Sequence, residues 1–273
     1  MKNVKAIAIG GFDGMHVGHQ QLFEAVGEAG GILVIETGYA NLTPAQTREH
    51  YTDLPIFYYA LDTIRHLDAE GFIAKLKEEF SQLEKIVVGY DFHFGKDRRY
   101  NFDDLRKLFS GEVVVVEEVK VDNDAVHSHK IRAKLQLGDI RGANRFLGYN
   151  FTINGKKVQG QGLGKKELFA TINIDAKTFL LPKEGVYVST ARINNEEHYH
   201  PAVSFIGHRV TTDGSFAVET HILDGDVGEV EKVRLSFVDF IRVNQKFDTL
   251  EALKEAIASD IEIAKKKTRR LSL

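Results

Sequence analysis

The apolar pattern of this chain changes character near residue 150, and that change restricts it to two different architectures in series. Upstream, short and nearly continuous apolar runs recur: Val4 to Ile9 (interrupted by Lys5), Gly31 to Ile35, Ile56 to Leu61, Ile86 to Val88 and Val113 to Val116. Runs of that length without polar alternation suit strands covered on both faces. Between them lie stretches at helical spacing. Leu22, Phe23 and Val26 share a face, Phe72, Leu76 and Phe80 follow a candidate cap at Asp68, and Phe102 to Phe109 forms a further helical run. Strands alternating with helices imply right-handed crossovers, hence a parallel sheet with helices on both faces.

Two short helical stretches, about 129–137 and 139–147, end at Gly148. Beyond them turn signals crowd together: Asn154-Gly155, Gly160, Gly162, Gly164, Asn194-Asn195, Asp213-Gly214 and Asp224-Gly225. The intervening runs are short and rich in Val, Ile, Thr, Tyr and Phe, which predicts an antiparallel sheet or small barrel. A last helix is predicted with Asp248 and Glu251 as its capping pair and Leu250, Leu253, Ile257 and Ile261 as its apolar stripe. The basic tail Lys265-Lys266-Lys267 with Arg269-Arg270 reads as a solvated, frayed end. The 273 residues therefore divide into an α/β domain over 1–148 and a β-barrel domain with a terminal helix over 149–273.

Charge and composition exclude several classes. Lys plus Arg is 36 and Asp plus Glu is 39, a net charge of −3, so no broad nucleic-acid surface is expected. With no Cys there is neither a disulfide nor a thiolate site, which fits a reducing compartment. The first apolar run stops at Gly10-Gly11, too soon for a secretory signal, and no segment reaches 18 unbroken apolar residues. The expectation is a cytoplasmic protein without membrane or nucleic-acid partners.

Gly10-Gly11-Phe12-Asp13-Gly14-Met15-His16-Val17-Gly18-His19 follows the first strand and opens the first helix. Ligands bind at that place in open α/β sheets. Glycines let the backbone approach a phosphate, and the helix N-terminus supplies free N–H donors. His16 and His19, three apart, can face one anion and stabilise charge that builds as a P–O bond breaks. The spacing alone also fits a glycine turn with two surface histidines; zinc fits less well, for want of a third ligand nearby.

The whole string G-x-F-D-G-x-H-x-G-H resembles the nucleotidyltransferase motif, and more narrowly that of the bacterial riboflavin kinase/FAD synthetase family. Gly89-Tyr90-Asp91-Phe92-His93-Phe94-Gly95-Lys96 is similar to that family's G-x-D-F-x-F-G-K segment, and Ser128-His129-Lys130-Ile131-Arg132 to its S-S-T-x-I-R motif. Gly138-Asp139-Ile140 and Ala143 to Gly148 resemble the boundary between the family's two modules. Departures are present. His127-Ser128-His129 stands where Ser-Ser-Thr is usual, and the stretch from Glu36 to Pro44 has no histidine where the family carries T-F-x-P-H-P.

In the second half, Gly160-Gln161-Gly162-Leu163-Gly164-Lys165 has the chemistry to lie over phosphates, though its spacing is not that of a P-loop and, taken alone, it reads as a hairpin turn. Thr171-Ile172-Asn173 resembles the family's P-T-A-N motif, with Ala170 in the proline's place. Its hydroxyl and amide oxygen are hard ligands suited to Mg²⁺. Leu181-Pro182-x-x-Gly185-Val186-Tyr187, Ile206-Gly207-x-Arg209 and Val218 to Asp224 match later family strands, whereas Asp226-Val227-Gly228-Glu229 replaces D-L-Y-G.

The resemblance implies a bifunctional enzyme of flavin cofactor synthesis. Its barrel would phosphorylate riboflavin to FMN with ATP, and its N-terminal domain would join AMP to FMN, giving FAD and pyrophosphate. His16, His19 and Glu219 become the catalytic residues, Glu219 as the base for the ribityl hydroxyl. Gly11, Phe12, Asp13, Gly89, Asp91, Ser128, Lys130 and Arg132 would bind ATP for adenylyl transfer. Gly162, Gly164, Lys165, Thr171 and Asn173 would bind it for the kinase step, with Thr171 and Asn173 also holding Mg²⁺. Three other readings stay open: a single retained activity, a flavin-binding regulator, or nucleotidyl transfer to another small phosphate.

Overall fold

In the computed structural model, which describes residues 4–160, 169–194, 196–211, 213–225 and 227–269, the chain divides into two compact units between Ser128 and His129. The first unit runs β1 (Ala6–Gly10), α1 (Val17–Val26), β2 (Gly31–Glu36), a 3-10 helix (Ala45–Tyr51), β3 (Ile56–Ala60), α2 (Leu61–Ile64), α3 (Ala69–Glu79) and β4 (Lys85–Gly89). It continues with the short β5 (His93–Phe94) and β6 (Tyr100–Asn101), then α4 (Phe102–Leu108), β7 (Glu112–Val116), β8 (Lys120–Val121) and β9 (Asp124–Ala125). The sheet order is β3-β2-β1-β4-β7, with every pairing parallel.

Strand geometry explains why the strands needed apolar residues throughout. Successive side chains leave opposite faces of a strand. Ile7 and Ile9 of β1 therefore pack with Phe72, Leu76 and Phe80, while Ala6 and Ala8 pack with Leu22, Phe23 and Val26. The predicted cap Asp68 accepts a hydrogen bond from the Gly71 amide at 2.8 Å and starts α3. Because β1 lies between β2 and β4, the chain crosses over in opposite directions on its two sides. This opens a crevice at the carboxyl ends of β1 and β4.

The second unit begins with α5 (Ser128–Leu137, its first residue in the preceding unit) and α6 (Ile140–Leu147), which Asp139 caps and Gly148 ends at a φ of 81°. Strands β10 (Thr152–Val158), β11 (Ile172–Asp175), β12 (Gly185–Ile193), β13 (His200–His208), β14 (Phe216–Ile222) and β15 (Lys232–Val243) follow, then α7 (Leu250–Thr268). The strands close into an antiparallel barrel in the order β10-β11-β14-β13-β12-β15. Buried hydroxyls satisfy one another: Ser189 and Ser204 are 2.7 Å apart, Ser204 donates to Thr220 at 2.9 Å, and Thr152 meets Ser236 at 2.7 Å. Helix α7 covers Val186, Val188 and Val203 with Ile257, Ile261 and Ala264.

Four local expectations are corrected. Asn154-Gly155 is not a turn but lies inside β10, because a Cβ at Gly155 would run into Ile174 and the Asp175 carbonyl of β11; the glycine serves close strand approach. The cap of α7 is Thr249, whose hydroxyl accepts from the Ala252 amide at 3.1 Å, rather than Asp248. Leu250 is exposed, whereas Ile257 and Ile261 of the predicted stripe pack on the barrel and the buried face continues to Ala264 and Thr268. Lys265 to Lys267 are helical rather than frayed, and the Lys267 ammonium pairs with the Asp239 carboxylate. The expectations at Gly162, Gly164, Lys165, Asn195, Asp226 and Arg270 lie outside the described residues.

Gly155→Ala should destabilise the barrel by about 1–3 kcal/mol, the usual cost of overpacking. Chemical denaturation followed by the Tyr and Phe signals checks it, and an unchanged midpoint would show that β10 and β11 can separate at no cost.

Candidate functional site

The first site lies at the carboxyl ends of β1 and β4. The loop after β1 reverses sharply, with Phe12 at φ 46° and Met15 at φ 40°. Non-glycine residues hold such values only where their surroundings impose them. Both side chains are buried, and Phe12 packs edge-on against His19 and Phe23. Asp13 is buried as well, and its carboxylate accepts from the amides of Asn41, Leu42 and Thr43 at 2.9–3.2 Å. The Gly14 amide donates to the Thr43 hydroxyl at 2.8 Å. The Arg48 guanidinium, from the 3-10 helix, donates to the Phe12 carbonyl at 3.3 Å, the Gly11 carbonyl at 3.2 Å and the Glu36 carboxylate at 2.6 Å. The segment that lacks the family's histidine thus supplies the partners of Asp13, and Arg48 just beyond it ties down the loop.

His16 is the N-cap of α1. Its Nδ1 accepts from the His19 amide at 3.3 Å, which leaves the neutral ring's proton on Nε2. The two imidazoles stack with centroids 3.5 Å apart. Gly18 keeps this possible, since a Cβ there would press on the His16 ring at 3.2 Å. Burial, reinforced by His127, lowers the His16 pKa to about 3. Burial, then His16 and Arg48, holds His19 well below the usual histidine range, and its Nδ1 is buried without a partner. Both rings are therefore neutral near pH 7, so they meet an anion as N–H donors rather than as cations. Among the described residues the two rings do not belong to a group of three metal-ligating side chains within reach of one ion.

Gly89 ends β4 and Asp91 is exposed just after it. The Ser128 hydroxyl donates to the Asp13 carbonyl at 2.7 Å, so the serine kept in the third motif anchors the glycine loop. Lys130 and Arg132 follow it on the first turn of α5, in the second unit, both half-buried. His127 stands by Tyr90 and Glu118, at 3.4 and 3.9 Å, and gives the site a third imidazole that sequence reading registered only as a departure.

The second site lies on the barrel. Asn173 on β11 and Glu219 on β14 are directly opposite in register. Arg209, one residue past β13, joins them. Its Nη2 donates to the Asn173 Oδ1 at 2.6 Å and to the Glu219 Oε1 at 2.5 Å, its Nε reaches the same Oε1 at 2.9 Å, and its Nη1 reaches the Ser215 hydroxyl at 2.7 Å. Thr171 is exposed immediately before β11. Gly160 lies against Asn173, where a Cβ would strike the amide. Thr171 and Asn173 offer hydroxyl and amide oxygens, hard ligands that fit Mg²⁺. Sequence reading noted Arg209 as part of a motif without assigning it a role; the signal for one was a cation just after the strand-like run that precedes that of Glu219.

A parallel sheet with a glycine–histidine loop at its switch point, followed in the chain by a closed barrel bearing a Thr-x-Asn segment opposite a glutamate, defines a two-unit, nucleotide-using transferase. Family models agree: the one described as riboflavin kinase matches residues 147–268, and that of FAD synthetase matches residues 48–130. The bifunctional riboflavin kinase/FMN adenylyltransferase of Pseudomonas fluorescens is 30% identical over 286 residues, covering 94% of this chain and 91% of its own. That of Listeria monocytogenes is 27% identical, covering 94% and 90%. A solved structure described as a macrolide-efflux protein from Streptococcus pneumoniae is similar with a TM-score of 0.81 and 25% identity, covering 97% of this chain and 95% of that one. The chain belongs to the bifunctional riboflavin kinase/FMN adenylyltransferase family. Among the described residues no helix is long and apolar enough to cross a membrane.

The neutral state of His16 has a consequence for stability. Unfolded, its pKa is near 6.5; folded, it is about 3. Between those values the unfolded chain holds the extra proton, so stability falls as pH drops from about 6.5 towards 3 and is untouched by this group above that window. His16→Asn, which keeps an N-cap, should flatten this dependence by on the order of 4 kcal/mol across the window. Denaturant unfolding at stepped pH measures it, and identical slopes in both proteins would contradict a buried neutral ring.

Proposed function

We propose that this chain converts riboflavin to FAD in two ATP-dependent steps, each carried by its own module. The supporting observation is that each set of matched residues is assembled locally: His16 against His19 at the helix N-cap, and Asn173 opposite Glu219 in the barrel. Residues 1–148 form the adenylyltransferase domain and 149–273 the kinase domain.

In the kinase step Glu219 takes the proton of the ribityl hydroxyl as its oxygen attacks the ATP γ-phosphorus, and ADP leaves. The Arg209 guanidinium orients this carboxylate by donating to its Oε1 from Nε at 2.9 Å and from Nη2 at 2.5 Å. Thr171 and Asn173 would hold Mg²⁺, which would neutralise charge on the ATP phosphates. Gly162, Gly164 and Lys165 cover those phosphates. In the second step a phosphate oxygen of FMN attacks the α-phosphorus of ATP in line and pyrophosphate leaves. His16 and His19 donate N–H bonds to the charge that develops. Gly11, Phe12, Asp13, Gly89 and Asp91 shape the nucleotide site, Ser128 anchors it, and Lys130 and Arg132 hold the departing pyrophosphate. The partners are small molecules, and the absence of cysteine together with the demand for ATP fits the cytoplasm.

Riboflavin, ATP and Mg²⁺ should yield FMN first and FAD later, as separated by chromatography over time. His16→Ala and His19→Ala should cut FAD formation at least tenfold while sparing FMN formation, and Glu219→Gln should do the reverse. FMN without FAD, or FAD only from added FMN, would leave a single activity; no turnover of either flavin would favour a flavin-binding regulator.

A further inference from the structure

Away from Thr171, Asn173 and Glu219, the barrel gathers a second set of donors. His198 lies in the connection between β12 and β13, His200 opens β13, and Asp224 follows β14. One ligating atom of each lies within 4.8 Å of the others. The His200 Nδ1 is 3.0 Å from the Asp224 Oδ1, and the His198 Nε2 is 3.3 Å from the Asp224 Oδ2. Two atoms bound tetrahedrally at about 2.1 Å from one zinc ion are themselves about 3.4 Å apart, so small shifts would suffice to admit one.

The other nitrogen of His200 completes a recurrent arrangement. Its Nε2 lies 3.1 Å from the Glu196 Oε2. Ligating histidines almost always direct their second nitrogen to a carboxylate or carbonyl, which fixes the ring and leaves the first nitrogen to the metal. Glu196 is itself held: its amide donates to the Ile193 carbonyl at 3.0 Å, and its carbonyl accepts from the Arg192 Nε at 2.8 Å. The His198 ring stands edge-on to that of His200, with centroids 4.6 Å apart.

We propose that His198, His200 and Asp224 form a binding site for a divalent transition metal of the zinc class, with Glu196 orienting His200 from behind. Two imidazoles and one carboxylate suit zinc, nickel or cobalt rather than Mg²⁺, which prefers six oxygens. A fourth position stays open to solvent, because His198 and Asp224 are exposed. The site is distinct from the kinase site. Ile222, the last residue of β14, is already about 10 Å along the strand from Glu219, and Asp224 lies two residues further on. An ion here would tie the β12–β13 connection to the end of β14 and stabilise the folded barrel by mass action. The inference does not depend on the flavin reading.

Cobalt(II) is the probe, titrated into untagged full-length protein with Mg²⁺ in large excess and read by its visible d–d absorption, with barrel thermal stability followed in parallel. The expected result is a saturable 1:1 signal, a rise in melting temperature with metal concentration, and competition by zinc. His198→Ala and Asp224→Asn, both at exposed positions, should each weaken binding at least tenfold, and Glu196→Gln by about 10–100-fold. His16→Ala should leave the titration unchanged. Absence of a saturable signal, or equal affinity in the His198→Ala and Asp224→Asn proteins, would overturn the site.

Discussion

The guanidinium of Arg48 is shut away from water, and the geometry of the first site is set against it. A buried charge is tolerable only when it is paired and its remaining donors are satisfied. Glu36 from the end of β2 provides the counter-charge, while the carbonyls of Gly11, Phe12 and Ala45 take hydrogen bonds. The carbonyls of Gly11 and Phe12 belong to the loop that must bend through Phe12 and Met15 at positive φ, so the pairing stabilises a backbone that would otherwise relax. Asp13 completes the restraint from the other side by gathering three amides of the segment 41–43. His16 and His19 are then placed by a loop held on both flanks.

The barrel solves a similar problem with a second arginine. Asn173 and Glu219 meet because β11 and β14 pair in that register, but a carboxylate facing an amide oxygen would be repulsive alone. Arg209 places a cation between the two oxygens, donating to both. A planar guanidinium whose Nε and Nη2 both reach the Glu219 Oε1 fixes direction as well as charge, which a lysine would not do. In each unit, then, an arginine holds the motif residues in place.

Much of the architecture was legible from periodicity. Nearly continuous apolar runs marked β1, β2, β3, β4 and β7, and Asp68 and Gly148 marked helix boundaries where capping physics puts them. Local signals failed where a partner strand overrode them. Asn154-Gly155 has the composition of a turn, yet the closeness of β11 demands a glycine within β10. Thr249 rather than Asp248 caps α7, a choice of one residue that depends on where the helix axis must start. At the first site the paired histidines were visible as residues, but their neutrality was not, because burial and the neighbouring His127 set it.

What the sequence determined by itself is the order of the two architectures and the positions of the motif residues, since both follow from local periodicity and from motifs contiguous in the chain. Only the tertiary structure decided the roles of Arg48, Arg209 and His127, the tautomer of His16, and the meeting of His198 and His200 with Asp224. Each of those depends on groups far apart in the chain, brought together by strand register and burial. Neither quantity is local: register is set by the face that must be covered, and burial by everything that covers it.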